Sequence, residues 1–188
     1  MKCIVTLFFL CLGNILWAQD NVPAMDKSPL DVSYFPVNYP VLKIQDKASE
    51  TPVARIIYSR PQKNGRQIFG NLVEYGKVWR LGANEATELE FFQSVSINNS
   101  KIKKGRYTLY VIPDSSKWTI ILNKENDTWG SFRYDEKKDV LRYSLPVIAQ
   151  PESVETMYMF FDKKDTANFT LNMGWENVHV ALPIQIDM

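Results

Sequence analysis

Arg60, Arg66, Arg80, Asn84 and Glu85 are the residues of this chain whose types and spacing could do chemistry, and Trp79 and Trp129 are the aromatics nearest to hand to wall a site around them. Three guanidinium groups, an amide and a carboxylate make a pocket for a small anion or a sugar. The arginines offer forked donors to a carboxylate or phosphate, Asn84 and Glu85 offer directional bonds to hydroxyls, and an indole covers an apolar face. The same set has a structural use, as Arg–carboxylate and Asn–backbone bonds that fix the loops at one rim of a sheet. Glu85 carries a third reading, as the acid of a metal-independent hydrolase acting on carbohydrate. That chemistry needs a second carboxyl roughly 5 to 10 Å away. Glu88 and Glu90 alternate to the other side of their strand, and nothing in the sequence chooses between Asp135 and Asp139.

These residues hang on the stretch Tyr75–Thr87, YGKVWRLGANEAT, which runs into the alternating segment TELEF, Thr87–Phe91. Leu89 and Phe91 share one face of that strand and Glu88 and Glu90 the other. Extended backwards, the alternation puts Glu85 on the apolar face, where a carboxylate needs a cation because an unpaired buried charge is costly. Arg80 is the nearest. Tyr107 has two readings: it could flank the pocket together with Trp129, or, since it alternates with Leu109 and Val111, it could belong to the core.

Most of the chain reads as strands and turns. VLKIQ (Val41–Gln45) and VARIIYS (Val53–Ser59) alternate, and Ile68–Val78 is a short strand or one helical turn. Val95–Asn98 is followed by an Asn-Asn-Ser turn. GRYTLYVI (Gly105–Ile112) and KWTIILN (Lys117–Asn123) flank Pro113-Asp114-Ser115-Ser116 as a hairpin. Asp139–Val147, Val154–Phe161, Asn168–Trp175 and Val178–Ile186 complete the set. In the last run Val178, Val180, Leu182, Ile184 and Ile186 face one way, His179 and Gln185 the other, and Pro183 suits an edge or terminal strand better than a central one. No segment keeps a 3.6-residue period. The expectation is an all-β fold, an antiparallel β-sandwich of roughly ten short strands in a single domain, residues 41–188. Ahead of it, residues 19–40 hold Pro23, Pro29, Pro36 and Pro40, which argue against a helix and for an extended arm. Its aromatics Tyr34, Phe35 and Tyr39 either lie on the domain or contribute to a ligand surface.

Residues 1–18 have the parts of a signal peptide: Lys2, the apolar run Ile4–Leu16, then Ala18. The expected address is periplasmic or extracellular, with no membrane anchor left after cleavage. Both cysteines, Cys3 and Cys11, leave with that segment, so neither a disulfide nor a thiolate site is expected. Only Lys2 is lost among charged residues, which leaves 21 basic against 21 acidic side chains. Neutrality argues against nucleic acid and anionic membranes as partners. His179 is the only histidine and sits with the polar residues of its strand, so no metal site is expected. No G-x-S-x-G elbow accompanies it, Gly82 stands outside any phosphate-binding pattern, and no cofactor is expected.

YSRP (Tyr58–Pro61), Gly65-Arg66, IFG (Ile68–Gly70), YGKVWRLGANEAT, KKGRYTLYVIP (Lys103–Pro113), WTIILNK (Trp118–Lys124), Trp129-Gly130 and YDEKKDVLR (Tyr134–Arg142) together resemble the secreted bacterial domain-of-unknown-function family 2911. Leu81 stands where many members carry Thr. The resemblance implies a secreted all-β domain and no particular reaction, substrate or cofactor. The reading is an exported β-sandwich, a non-catalytic binding or structural module with an Arg/Asn/Glu cluster at one sheet rim, with the Glu85 hydrolase as the alternative.

Overall fold

Alternation becomes architecture where the apolar side of one strand finds another sheet to cover it. The computed structural model describes residues 23–187, so the expected signal peptide, residues 1–18, lies outside the described residues. In chain order the elements are β1 (Leu30–Phe35), α1 (Tyr39–Ile44), β2 (Ala54–Ser59), β3 (Glu88–Phe91), β4 (Val95–Ile97), β5 (Ser100–Ile102), β6 (Gly105–Pro113), β7 (Lys117–Asn123), β8 (Asp139–Pro146), β9 (Ile148–Lys163) and β10 (Asn168–Ile186). They form two antiparallel sheets, one in the order β1-β2-β3-β6-β7-β8 and the other β5-β4-β10-β9. The fold is an all-β sandwich.

The inner faces supply one buried cluster. Ile56, Leu89, Phe91, Leu109, Val111, Ile120 and Leu122 come from the larger sheet, and Met157, Met159, Phe161, Leu171, Met173, Val180, Leu182 and Ile184 from the smaller. Trp79 stands at right angles to Trp118, centroids 6.0 Å apart, and nearly parallel to Trp175 at 6.3 Å. Beyond β2 the chain crosses to the other sheet, where Met157 N–H donates to Pro61 O at 3.0 Å and Lys63 N–H to Glu155 O at 2.7 Å. One side of the sandwich is thereby laced shut.

The hairpins follow local rules. Asn98 and Asn99 both take positive φ, 48° and 61°, as a tight β4–β5 turn requires. The β6–β7 register runs from Thr108 opposite Asn123 to Pro113 opposite Trp118. Pro183 lies between the end of β10's pairing with β9 at His179 and the start of its pairing with β4 at Gln185, where its missing N–H breaks no ladder bond.

Four segments depart from the sequence reading. Of residues 41–45, expected as a strand, 41–44 belong to the helix α1 and Gln45 caps its C-terminus, because Pro40 occupies the first turn, where an N–H has no partner to lose. Tyr39 anchors this turn by donating to Glu50 O at 2.6 Å. Residues 30–35 are more than an extended arm: they pair along β2 from Leu30–Ser59 to Phe35–Ala54. Phe35 enters the core and stacks on Phe169 at 4.1 Å. Residues 68–78 form turns in place of a strand or helical turn. The last two expected strands are one, β10, continuous through an irregularity around Glu176, whose φ is 52°.

Candidate functional site

β2 delivers Ser59 to the base of the site. Its neighbours Ile56 and Tyr58 pack into the core, and Ser59 binds the loop that follows Arg80. One hydroxyl serves twice: Ser59 Oγ donates to Ala83 O and accepts from Ala83 N–H, each at 2.6 Å. Gly82 must be glycine there, since its φ is 156° and a Cβ would fall 2.7 Å from Ser59 Oγ. Trp79 Nε1 donates to Gly82 O at 3.1 Å and Thr87 Oγ1 to Leu81 O at 2.6 Å. With Leu81 and Asn84 both left-handed, at φ 55° and 58°, the chain turns twice before β3. The alternation of TELEF therefore does not run back to Glu85. Ala86 and Thr87 are both buried, and Glu85 points out to solvent.

Two backbone bonds fasten a second loop to this one: Gly130 N–H to Asn84 O and Ala86 N–H to Thr128 O, each 2.9 Å. They set Glu85 opposite Trp129 in an isolated antiparallel bridge. Gly130, at φ 71°, lets the Phe132 ring fold over its backbone, where a Cβ would come within 2.7 Å of the ring. Phe132 then stacks on Trp129 at 5.9 Å and 13°. The pair faces water, Trp129 62% and Phe132 83% exposed.

The opposite wall is the segment leading into β1. Arg60 N–H donates to Pro29 O at 3.0 Å, and Ser28 N–H to Asp26 Oδ1 at 2.6 Å. Between the walls lies an open groove of about 530 Å³ lined by Asp26, Ser28, Pro29, Leu30, Asn84, Glu85 and Trp129. Ser59 pins both sides, one through its hydroxyl and the other through its backbone pairing with Leu30.

The expected cluster thus divides. Asn84, Glu85 and Trp129 meet at the groove, and the arginines do not join them. Arg60 pairs with Asp31 at 3.0 Å and donates to Met157 O. Arg66 is exposed and caps its own turn through Gln62 O and Lys63 O. Arg80 is half-buried; burial pushes its guanidinium below its ordinary pKa, its Nε has no hydrogen-bond partner, and it forms no ion pair among the described residues. Trp79 is 8% exposed and is core, not a ligand wall. Strand period assigned these positions a face, and two left-handed turns moved the face.

Asp26 and Ser28 were missed by sequence reasoning, which looked to the aromatics of their segment. Their signal is faint, a polar D-x-S ahead of Pro29. His179, expected to face solvent, is half-buried with Nε2 3.1 Å from Asn172 Oδ1, and burial lowers its pKa. The two acids considered as partners for Glu85 are engaged elsewhere: Asp135 caps Lys137 N–H at 3.0 Å, and Asp139 accepts from Asn123 Nδ2 at 2.7 Å, Tyr134 OH at 2.6 Å and Arg142 Nε at 2.7 Å.

Two consequences are measurable. Glu88, with its side chain 17% exposed, pairs with Arg106 at 3.3 Å and accepts from Asp127 N–H at 2.9 Å, while Glu90 pairs with Arg55 at 2.5 Å. Glu88→Ala and Glu90→Ala should each cost about 1 kcal/mol, against no more than about 0.5 kcal/mol for Glu85→Ala. This reverses the order that alternation implies, and denaturant unfolding of the three variants reads it directly. A largest loss at Glu85 would contradict its outward placement.

Tyr134 supplies the second. Burial first, then its bond to Asp139, pushes its pKa up to about 12, from about 10 when unfolded. The folded state thus holds the phenol's proton more tightly than the unfolded chain. That stabilisation is complete below about pH 10 and disappears as pH rises through about 12. Tyr134→Phe should flatten the alkaline limb of the stability–pH curve, followed by unfolding midpoints from about pH 8 to 12; an unchanged limb would assign the loss to other groups.

A family described as "Protein of unknown function (DUF2911)" matches residues 40–184. The match takes in Asn84, Glu85 and Trp129 and begins after the wall formed by Asp26–Leu30. No curated protein and no solved structure matches the chain.

Proposed function

The chain belongs to this family of proteins of unknown function, and from that premise we propose that it is an exported β-sandwich module that binds a sugar, without transforming it, in the groove between Asp26–Leu30 and Trp129. Export rests on Lys2, Ile4–Leu16 and Ala18. The observation that carries the binding reading is Trp129. Trp79, Trp118 and Trp175 are buried, whereas Trp129 turns its indole outward on a stack built by Gly130 and Phe132, beside the amide of Asn84 and the carboxylate of Glu85. A flat apolar face with hydrogen-bonding groups at its edge complements a pyranose ring. Of the two ligand classes expected from the sequence, the groove favours the sugar over the small anion, because its lining holds Asp26 and Glu85 and no lysine or arginine.

Trp129→Ala should weaken binding of a neutral oligosaccharide at least about tenfold, or about 1.4 kcal/mol, and leave stability within about 0.5 kcal/mol. Calorimetric titration against a panel of neutral oligosaccharides tests this, and an unchanged affinity in the variant would remove the groove from consideration. The hydrolase reading keeps one observation in its favour, the second carboxylate of Asp26 in the same groove as Glu85. Both are exposed, whereas a glycosidic acid works from an apolar enclosure. Glu85→Gln decides between the two readings: lost turnover with retained binding would mark an enzyme.

A further inference from the structure

We propose that Arg80 anchors a second site, outside the groove, where its guanidinium holds the carboxylate or phosphate group of a small anionic ligand. Four basic side chains are half-buried among the described residues, and three of them are matched by a carboxylate. Arg55 pairs with Glu90 at 2.5 Å, Arg60 with Asp31 at 3.0 Å and Lys63 with Glu176 at 3.8 Å. Arg80, the fourth, makes no ion pair and no side-chain hydrogen bond among the described residues, and its Nε is fully buried without a partner. Arg133 is unpaired too, but it is exposed and water solvates its charge.

The fold holds this charge in place. Trp79 and Val111 exchange both backbone bonds, at 2.8 and 3.0 Å. Trp79 therefore turns into the core, and its neighbours Val78 and Arg80 turn to the outer face of the larger sheet, where Tyr110 and Ile121 are buried. The loop between β7 and β8 is stitched down on either side of Arg80 in the chain: Ser131 Oγ donates to Val78 O at 3.0 Å and Ala86 N–H to Thr128 O at 2.9 Å. Tyr110 OH, 3.0 Å from Thr128 Oγ1, ties the same loop to the sheet. Nε is thereby shut in, whereas the two Nη groups keep contact with solvent. A half-buried cation without a partner is costly. An oxyanion lying across the Nη edge supplies the missing charge and takes two parallel N–H donors as a fork. Arg80 does not line the groove, so this site stands or falls apart from the sugar-binding reading.

The test is thermal unfolding of the protein, residues 19–188, in potassium phosphate and in potassium acetate, each against potassium chloride at equal ionic strength. At least one oxyanion should raise the midpoint saturably, with half the binding complete at about 1–10 mM, and the salt that does so names the group. The rise should reach about 3–5 °C at ten times that concentration. Arg80→Met, which keeps the stem and removes the charge, should lose this response and be no less stable than the parent in chloride. Arg66→Met should keep it, since Arg66 is exposed and already donates to Gln62 O and Lys63 O. Arg80→Lys, with the charge but no fork, should need about tenfold more anion. A rise linear in salt and equal in every variant is general exclusion of the salt from the surface and would overturn the site. So would a midpoint that neither salt moves relative to chloride. Should Arg80→Met fail to fold, Arg80→Lys decides, and a titration unshifted from the parent's would overturn the proposal.

Discussion

Trp79→Ala should lower folding stability by about 3–5 kcal/mol, the largest loss expected of any change in the region the sequence marks as its centre. Its ring touches three aromatic partners, Phe69 at 6.0 Å, Trp118 at 6.0 Å and Trp175 at 6.3 Å, and so joins the two sheets. Truncation opens a cavity among rigid neighbours that cannot collapse into it. It also leaves the Gly82 carbonyl without the donor that now lies 3.1 Å away. Trp129→Ala is the control: same chemistry, solvent-facing ring, almost no stability at stake. Denaturant midpoints of the two variants, with near-ultraviolet circular dichroism to follow aromatic packing, give the comparison. Similar losses in both would mean that the assignment of one tryptophan to the core and the other to the groove is wrong.

Gly82→Ala should cost about 1–3 kcal/mol and weaken any ligand of the groove, because the residue stands where backbone strain and steric contact coincide. Its φ of 156° is one that side chains rarely adopt, and the added methyl would meet the buried hydroxyl that clamps Ala83. The two effects separate by comparison. Gly76, at φ 73°, has nothing within 4 Å of the point where a methyl would sit, so Gly76→Ala reports backbone strain alone. In the Ser59→Ala background the clash at Gly82 is relieved, and the double variant should be less damaged than the sum of the singles. Additive losses would indicate that Gly82 acts without Ser59, and the clamp would then not be what orients Asn84 and Glu85.

What the sequence determined by itself was everything that depends on local period and local turn chemistry. The alternation in Gly105–Ile112, Lys117–Asn123 and Val178–Ile186 needed only a partner sheet to become β6, β7 and the end of β10, since a one-residue slip would expose every apolar side chain. The sandwich followed from the number of such runs, and the family from the motifs they carry. Tertiary structure alone decided what those patterns leave open. Val41–Gln45 alternates as well as many strands, yet Pro40 and the anchored Tyr39 ring make it helical. Glu85 lost its inward face to two left-handed residues whose conformation is stabilised by Ser59 and Thr87, one of them distant in the chain. The two tryptophans of the candidate site, alike in sequence, were sorted by which side of a bent loop faces the other sheet. The groove joins Asp26 to Glu85 and Trp129 only because β1 pairs with β2, and a contact between such distant segments has no period to announce it. Period is a property of neighbours in the chain, whereas a site is a property of neighbours in space.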